Sequence, residues 1–236
     1  MATQDTLPYR TALIIGAGVG ISASLARTFS RAGLKVGLVA REPSKLAILA
    51  GETGASVFSA DASQPAAVAQ LFTDVDARLG EPDVLVYNAA SRVQGPVAEI
   101  DPALVRDALA VSAFGGFLAV QQAAKRMIPR GRGAILLTGA SASIKGFRNS
   151  SAFAMGKFAL RGLAQSAARE LGPKGIHVAH FIIDGVVRKA GRPDPADQPD
   201  STLNPDSIAK TYMDVLSQPR DAWSFEVELR PWVETF

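Results

Sequence analysis

The runs Asp83 to Tyr87, Ala134 to Leu137 and Ile176 to Ile183 are apolar on nearly every position instead of alternating. A strand of that kind has both faces covered, which is the condition of a strand inside a parallel sheet flanked by helices. Shorter runs suited to strands precede them at Thr11 to Ile15, Lys35 to Ala40 and Ala55 to Ala60. Helical patterns fill the spaces: one to about Ala32, one near Lys45, one over Pro65 to Leu79, two between Pro102 and Met127, and a long one over Ser150 to Leu171. Each strand thus reaches the next through a helical crossover, which favours parallel pairing. The expected class is α/β: a single-domain, Rossmann-like, doubly wound parallel sheet with helices on both faces.

At 236 residues the chain has the size of one large α/β domain, and residues 1–236 are read as one unit. The segment 188–204 carries Pro193, Pro195 and Pro199 among Asp, Gly and Gln, and reads as a mobile loop that shapes a substrate site. Asn204 and Pro205 then form a helix start, with the helix running to about Leu216, and Phe225 to Leu229 is expected to close one sheet edge. The absence of cysteine excludes disulfides, a thiol nucleophile and thiolate metal sites. Basic residues number 25 against 22 acidic ones and are scattered, so no stripe suited to nucleic acid exists. The opening MATQDTLPYR lacks the regions of a signal peptide and no apolar run approaches a membrane span, so a cytoplasmic protein without a membrane partner is expected. His177 and His180 lie three apart on a strand and point to opposite faces, and no metal site is expected.

After the first strand comes Gly16-Ala17-Gly18-Val19-Gly20-Ile21-Ser22 and then a helix. In that setting closely spaced glycines let backbone N–H groups approach a pyrophosphate at a helix N-terminus, whereas isolated glycines would mark only a tight turn. The second strand ends in Ala40-Arg41, where NAD enzymes place a carboxylate on the adenosine ribose. Ala40 cannot accept those bonds. Arg41 has the forked donors for a 2′-phosphate, so NADP(H) is preferred over NAD(H), the plainer reading of Arg41 being a solvated charge opening a loop.

With these landmarks the chain resembles the short-chain dehydrogenase/reductase family over nearly its whole length. Asp61-Ala62 is similar to the family's adenine-contacting aspartate and its neighbour, and Asn88-Ala89-Ala90 to its Asn-Ala-Gly turn. Lys157 stands where the family's Tyr-x-x-x-Lys ends, and Asp184-Gly185 near its Pro-Gly turn. The resemblance implies cofactor contacts at Gly16, Gly18, Val19, Gly20, Ile21, Ala40, Arg41, Asp61, Ala62, Asn88, Ala89, Ala90, Lys157 and Val187. It also implies a homodimer or homotetramer.

The departures fall at the chemistry. Phe153 occupies the position of the family's tyrosine, Ala140 that of its serine, and Ser112 that of its helix asparagine; Lys157 alone is retained. Ile15 and Ser22 stand where the glycine motif carries threonine and a last glycine. A lost general acid costs about 10²–10⁴-fold and a lost oxyanion donor about 10²–10³-fold, too much for a standard alcohol dehydrogenase. Ser141 and Tyr87 are candidate hydroxyl replacements, with a turn hydroxyl and a packed aromatic as their plainer readings. Asp184 is a candidate carboxylate beside the nicotinamide, or a cap for a neighbouring turn. Lys157, without its tyrosine, keeps cofactor ribose binding. Phe153, Phe158, Leu160 and Leu163 lie at helical spacings and read as core or subunit interface.

Three functions stand open. The first is an NADP(H)-dependent oxidoreductase with an atypical active site, acting on a small apolar carbonyl or conjugated C=C substrate. In the C=C case hydride goes to carbon and the later proton can come from water. The second is a cofactor-binding sensor or pseudoenzyme without redox turnover. The third is a lyase or isomerase with a structural dinucleotide and Asp184 as base.

Overall fold

The computed structural model describes residues 7–189 and 191–235. The first six residues, Ala190 within the proline-rich segment and Phe236 lie outside that description. Seven strands form one parallel sheet in the order β3-β2-β1-β4-β5-β6-β7. They are β1 Thr11–Ile15, β2 Lys35–Ala40, β3 Ser56–Ser59, β4 Val84–Tyr87, β5 Gly133–Thr138, β6 Ile176–Ile183 and β7 Glu226–Leu229. The helices are α1 Ile21–Arg31, α2 Ala47–Thr53, α3 Pro65–Leu79, α4 Pro102–Leu109, α5 Gly115–Arg130, α6 Ser151–Leu171 and α7 Pro205–Leu216. This is the expected doubly wound sheet. β7 closes one edge, pairing only with β6.

Because side chains alternate along a strand, the consecutive apolar residues of β1, β4, β5 and β6 feed two cores. Ile14, Val86, Leu136 and Phe181 face α1 and α7, while Leu13, Leu85, Leu137 and Val178 face α3, α5 and α6. On α6 the buried residues Phe153, Lys157, Leu160, Ala164, Ala167 and Leu171 recur at intervals of three and four, the stripe of a helix laid on a sheet. One member of that stripe is a lysine, which marks the place where packing yields to chemistry.

The two helices expected between Pro102 and Met127 are joined into one helical run. A π segment, Ala110–Phe114, connects α4 to α5 without a break. By length and composition the joined helix is long and apolar enough to cross a membrane, one 18-residue stretch of it reaching mean hydropathy 1.6. No single run signalled this, because the apolar residues serve two sides: Leu118, Ala119, Ala123 and Met127 are buried against the sheet, while Phe114, Phe117 and Ile128 are exposed.

The proline-rich segment is tied down at its ends. Val187 and Leu203 form a parallel bridge, and Arg188 reaches Asp194, Asp200 and Thr202. Trp232 donates to the Pro199 carbonyl at 3.0 Å. Asn204 caps α7 through Asp206 N, as the Asn-Pro signal predicts.

Candidate active site

β1 and β4 are adjacent strands whose connections leave on opposite sides of the sheet, so a crevice opens at their carboxyl ends. Gly16 turns the chain there with φ of +87°, and a Cβ on it would lie 2.3 Å from Ala89 N, so no other residue fits. A Cβ on Gly18 or Gly20 would meet nothing within 4 Å. Packing within the chain therefore does not demand glycine at these two positions; the open space in front of them does. Gly20 starts α1 without any side-chain cap, and Ile21 and Ser22 of the first turn line the space in front of it. Ser22 is buried and donates to the Gly16 carbonyl at 3.0 Å, and Asn88 Nδ2 donates to Ser22 Oγ at 2.8 Å. The serine that departs from the glycine motif thus binds the two turns together.

The crevice holds two adjoining spaces. One of about 480 Å³ runs from Gly16 past Val19 to Ala40, Arg41, Asp61 and Ala62, with Ala89 and Ala90 on its other wall. The second, about 230 Å³, lies between Gly18, Gly20 and Ile21, with Asn88 and Val187 across from them. At the far end of the larger space Arg41 has no carboxylate within ion-pair distance among the described residues. Lys45 stands beside it, 2.8 Å from Glu42. Asp61 Oδ1 accepts from both the amide and the hydroxyl of Ser63, and these bonds hold its carboxyl below the usual carboxylate range. A dinucleotide fits this site on three counts: an open glycine cradle, an uncapped helix start and, among Glu42, Lys45 and Asp61 at the far end, an Arg41 without a carboxylate partner among the described residues.

Lys157 is 3% exposed and donates to the Thr138 carbonyl at 2.7 Å. Burial, with the nearby positive charge of Arg92, pushes its pKa down to about 8. The ammonium lies 5.8 Å from the ring centroid of Phe153, one turn earlier on α6. Arg92 lies on the same ring, its guanidinium carbon 4.6 Å from the centroid. Ser112, in the π segment, accepts from Ser91 N at 3.0 Å and packs so close to α6 that a Cβ on Gly156 would come within 2.8 Å of its own Cβ. Ser91, Arg92, Ser112, Phe153 and Lys157 therefore converge between the end of β4 and the start of α6.

The other candidates sit differently. Tyr87 is fully buried and its hydroxyl donates to the Val111 carbonyl, away from solvent, with burial raising its pKa. Asp184 is 2% exposed and faces two cations, Arg230 at 3.3 Å and Lys145 at 3.8 Å. Ser143 Oγ accepts from Ala140 N and is wholly enclosed. Ser141 is partly exposed, and its hydroxyl makes no hydrogen bond among the described residues. His177 Nε2 donates to the Ser224 carbonyl and its ring stacks on Trp223, whereas His180 meets Glu226 on the opposite face; burial pushes His180 down to about 4. No group of three metal-ligating residues occurs among those described. Sequence reading missed Lys45, Ser91, Arg92 and Thr138, which acquire their places only through long-range packing.

Comparison with known proteins agrees with this geometry. The family description short chain dehydrogenase matches residues 10–211. A short-chain dehydrogenase/reductase of Armillaria gallica is 34% identical over 190 residues, covering 77% of this chain and 72% of that one. Momilactone A synthase of Oryza sativa subsp. japonica is 34% identical, covering 78% and 69%. The crystal structure of a short-chain dehydrogenase from Rhodopseudomonas palustris superposes with a TM-score of 0.81 at 35% identity, over 94% of this chain and 99% of that one. A metagenomic short-chain oxidoreductase in complex with NADP gives 0.85 at 28% identity, over 98% and 100%. The chain belongs to the short-chain dehydrogenase family, oxidoreductases that bind a nicotinamide dinucleotide.

Proposed function

We propose that this protein is an NADP(H)-dependent reductase of small apolar or ring-containing substrates that works without a phenol acid. The observation that carries the reading is the crevice itself, open at Gly18 and Gly20 and closed at its far end by Arg41 and Lys45. When bound, the dinucleotide supplies or accepts hydride. Arg41, with Lys45 beside it, would hold the adenosine-side phosphate, the first turn of α1 the pyrophosphate, and Lys157 the ribose near the reacting end. Phe153 and Ala140 supply no proton. Hydride delivery to the β-carbon of a conjugated C=C bond suits such a site better than ketone reduction, because the proton follows later and can come from water. Ser141, the partly exposed hydroxyl without a hydrogen-bond partner among the described residues, is the donor we assign where one is needed.

The test is transfer of deuterium from 4-deuterated NADPH to a panel of carbonyl and enoyl compounds. Label in a saturated product supports the reading. Tight NADPH binding with no transfer to any of them favours a cofactor-binding sensor, the reading that the absence of both hydroxyls would then carry. A lyase with Asp184 as base is disfavoured by the pairing of that carboxylate with Arg230 and Lys145.

We further propose that the chain acts as a homo-oligomer through the outer faces of α5 and α6. An apolar groove of about 360 Å³ there includes Phe117, Ile128 and Leu163, with Phe114 and Phe158 exposed beside it. Sedimentation as a monomer at micromolar concentration would overturn this.

A further inference from the structure

Arg92 and Lys157 place two cations against one aromatic ring, the ring of Phe153. Like charges so close raise each other's energy, and neither has a carboxylate within ion-pair distance among the described residues. The acidic groups of the neighbourhood are committed elsewhere: Asp184 faces Arg230 and Lys145, and Asp61, at the opposite end of the crevice, binds Ser63. Arg92 is exposed, so solvent tolerates its charge, yet its guanidinium is laid on the ring instead of extending away. Contact with the ring restrains the guanidinium near Phe153 while its N–H groups stay able to donate. The neighbouring residue Ser91 lines the dinucleotide crevice and is held there by Ser112. A guanidinium without a carboxylate partner among the described residues thus stands next to Ser91, which lines the crevice, and over Phe153.

We infer that Arg92 is a catalytic residue that binds the substrate's carbonyl oxygen and stabilises the negative charge developing on it, which makes the substrate an α,β-unsaturated carbonyl compound. This rests on the reductase reading above. A guanidinium stays protonated and gives no proton to an alkoxide, so a ketone gains little from it. An enolate needs only that its oxygen be held. The β-carbon accepts hydride, with its two electrons, from the reduced cofactor. The C=C pair moves to form the bond between the α-carbon and the carbonyl carbon, and the carbonyl pair moves onto oxygen, where Arg92 donates to it. Water then delivers a proton to the α-carbon, the C=O bond reforms, and hydroxide is left to the solvent. Lys157 adds positive charge behind the ring without contacting the oxygen.

The experiment uses 4-nitrophenol as a planar oxyanion probe with the full chain saturated in NADP⁺. Its phenolate is coloured, so both affinity and the acidity of the bound form can be read by absorbance. The expected result is selective uptake of phenolate, at least about tenfold weaker in Arg92→Gln and intermediate in Arg92→Lys, with NADPH affinity the same in all three. Equal phenolate binding in wild type and Arg92→Gln, or no phenolate uptake by wild type, overturns the inference while leaving the reductase reading in place. Failure of wild type to bind NADPH at all sinks the reductase reading itself.

Discussion

A Cβ built on Gly16 would stand 2.3 Å from the backbone nitrogen of Ala89, because the turn that follows β1 and the turn that follows β4 lie in direct contact. Asn88 reinforces the contact, its amide donating to Ile15 O at 2.9 Å and its side chain to Ser22. The crevice of a doubly wound sheet opens where these strands part, so one backbone contact sets the floor of the cofactor site.

Gly16→Ala should therefore destabilise the fold by at least about 2 kcal/mol, combining positive φ with a backbone collision. Gly18→Ala should leave stability within about 0.5 kcal/mol and weaken dinucleotide binding at least about tenfold, since its Cβ points into open space. Urea unfolding and NADPH fluorescence titration separate the two effects. Equal stability losses in both variants would show that the glycines serve the turn alone.

Arg41→Ala removes the charge closest to the proposed phosphate. A charge-assisted hydrogen bond worth about 1.5–3 kcal/mol predicts roughly ten- to hundredfold weaker NADPH binding, with NADH little changed. Adding Ala40→Asp should invert the preference by giving the ribose hydroxyls an acceptor. Unchanged relative dissociation constants would refute the phosphate site.

Lys157 gives a pH signature. Its folded pKa of about 8 lies below the ordinary lysine value of 10.5, so the unfolded chain binds the extra proton between those values. The penalty for burying the charge is present in full below pH 8 and vanishes as pH rises through the window to 10.5. Stability should thus gain up to roughly 3 kcal/mol across it, at 1.36 kcal/mol per unit. Lys157→Met should flatten that rise; an identical slope in the variant would remove the lysine as its source.

His180 behaves in the same direction at lower pH. Its folded pKa of about 4 is depressed from 6.5 by burial, so the ring stays neutral in the native state while the unfolded chain takes up a proton. Stability on this account declines as pH falls from 6.5 toward 4. NMR should show the His180 ring titrating well below an ordinary histidine, and a native midpoint near 6.5 would contradict it.

Introducing hydroxyls at 140 and 153 tests the proposed correspondence of these positions to the family's serine and tyrosine. Ala140→Ser with Phe153→Tyr places a phenol near Lys157 and should raise NADPH-dependent ketone reduction by about 10²-fold or more over the unmodified chain. A folded double variant with no gain would mean that the surrounding groups have been rearranged around Phe153.

Local patterns sufficed for the sheet, because a strand buried on both faces must be apolar on consecutive positions, and Val84 to Tyr87 or Ala134 to Leu137 cannot be read otherwise. The glycine turn was legible for a similar reason: strand, glycines and helix are contiguous in the chain. The two helices read over 102–127 are present as α4 and α5, but the π segment that joins them was not legible; there Tyr87 donates to Val111 and Ser112 meets Gly156, contacts made across 24 and 44 positions of chain.

The sequence alone determined the parallel architecture, the glycine cradle and the presence of Ala140 and Phe153 without hydroxyls, since each is a property of neighbouring residues or of residue type. Only the tertiary structure decided that Tyr87 turns inward, that Asp184 is held by Arg230 and Lys145, and that Arg92 lies on Phe153. Those facts are set by which side chains from distant segments share one volume, and charge and burial acquire their chemical meaning only there.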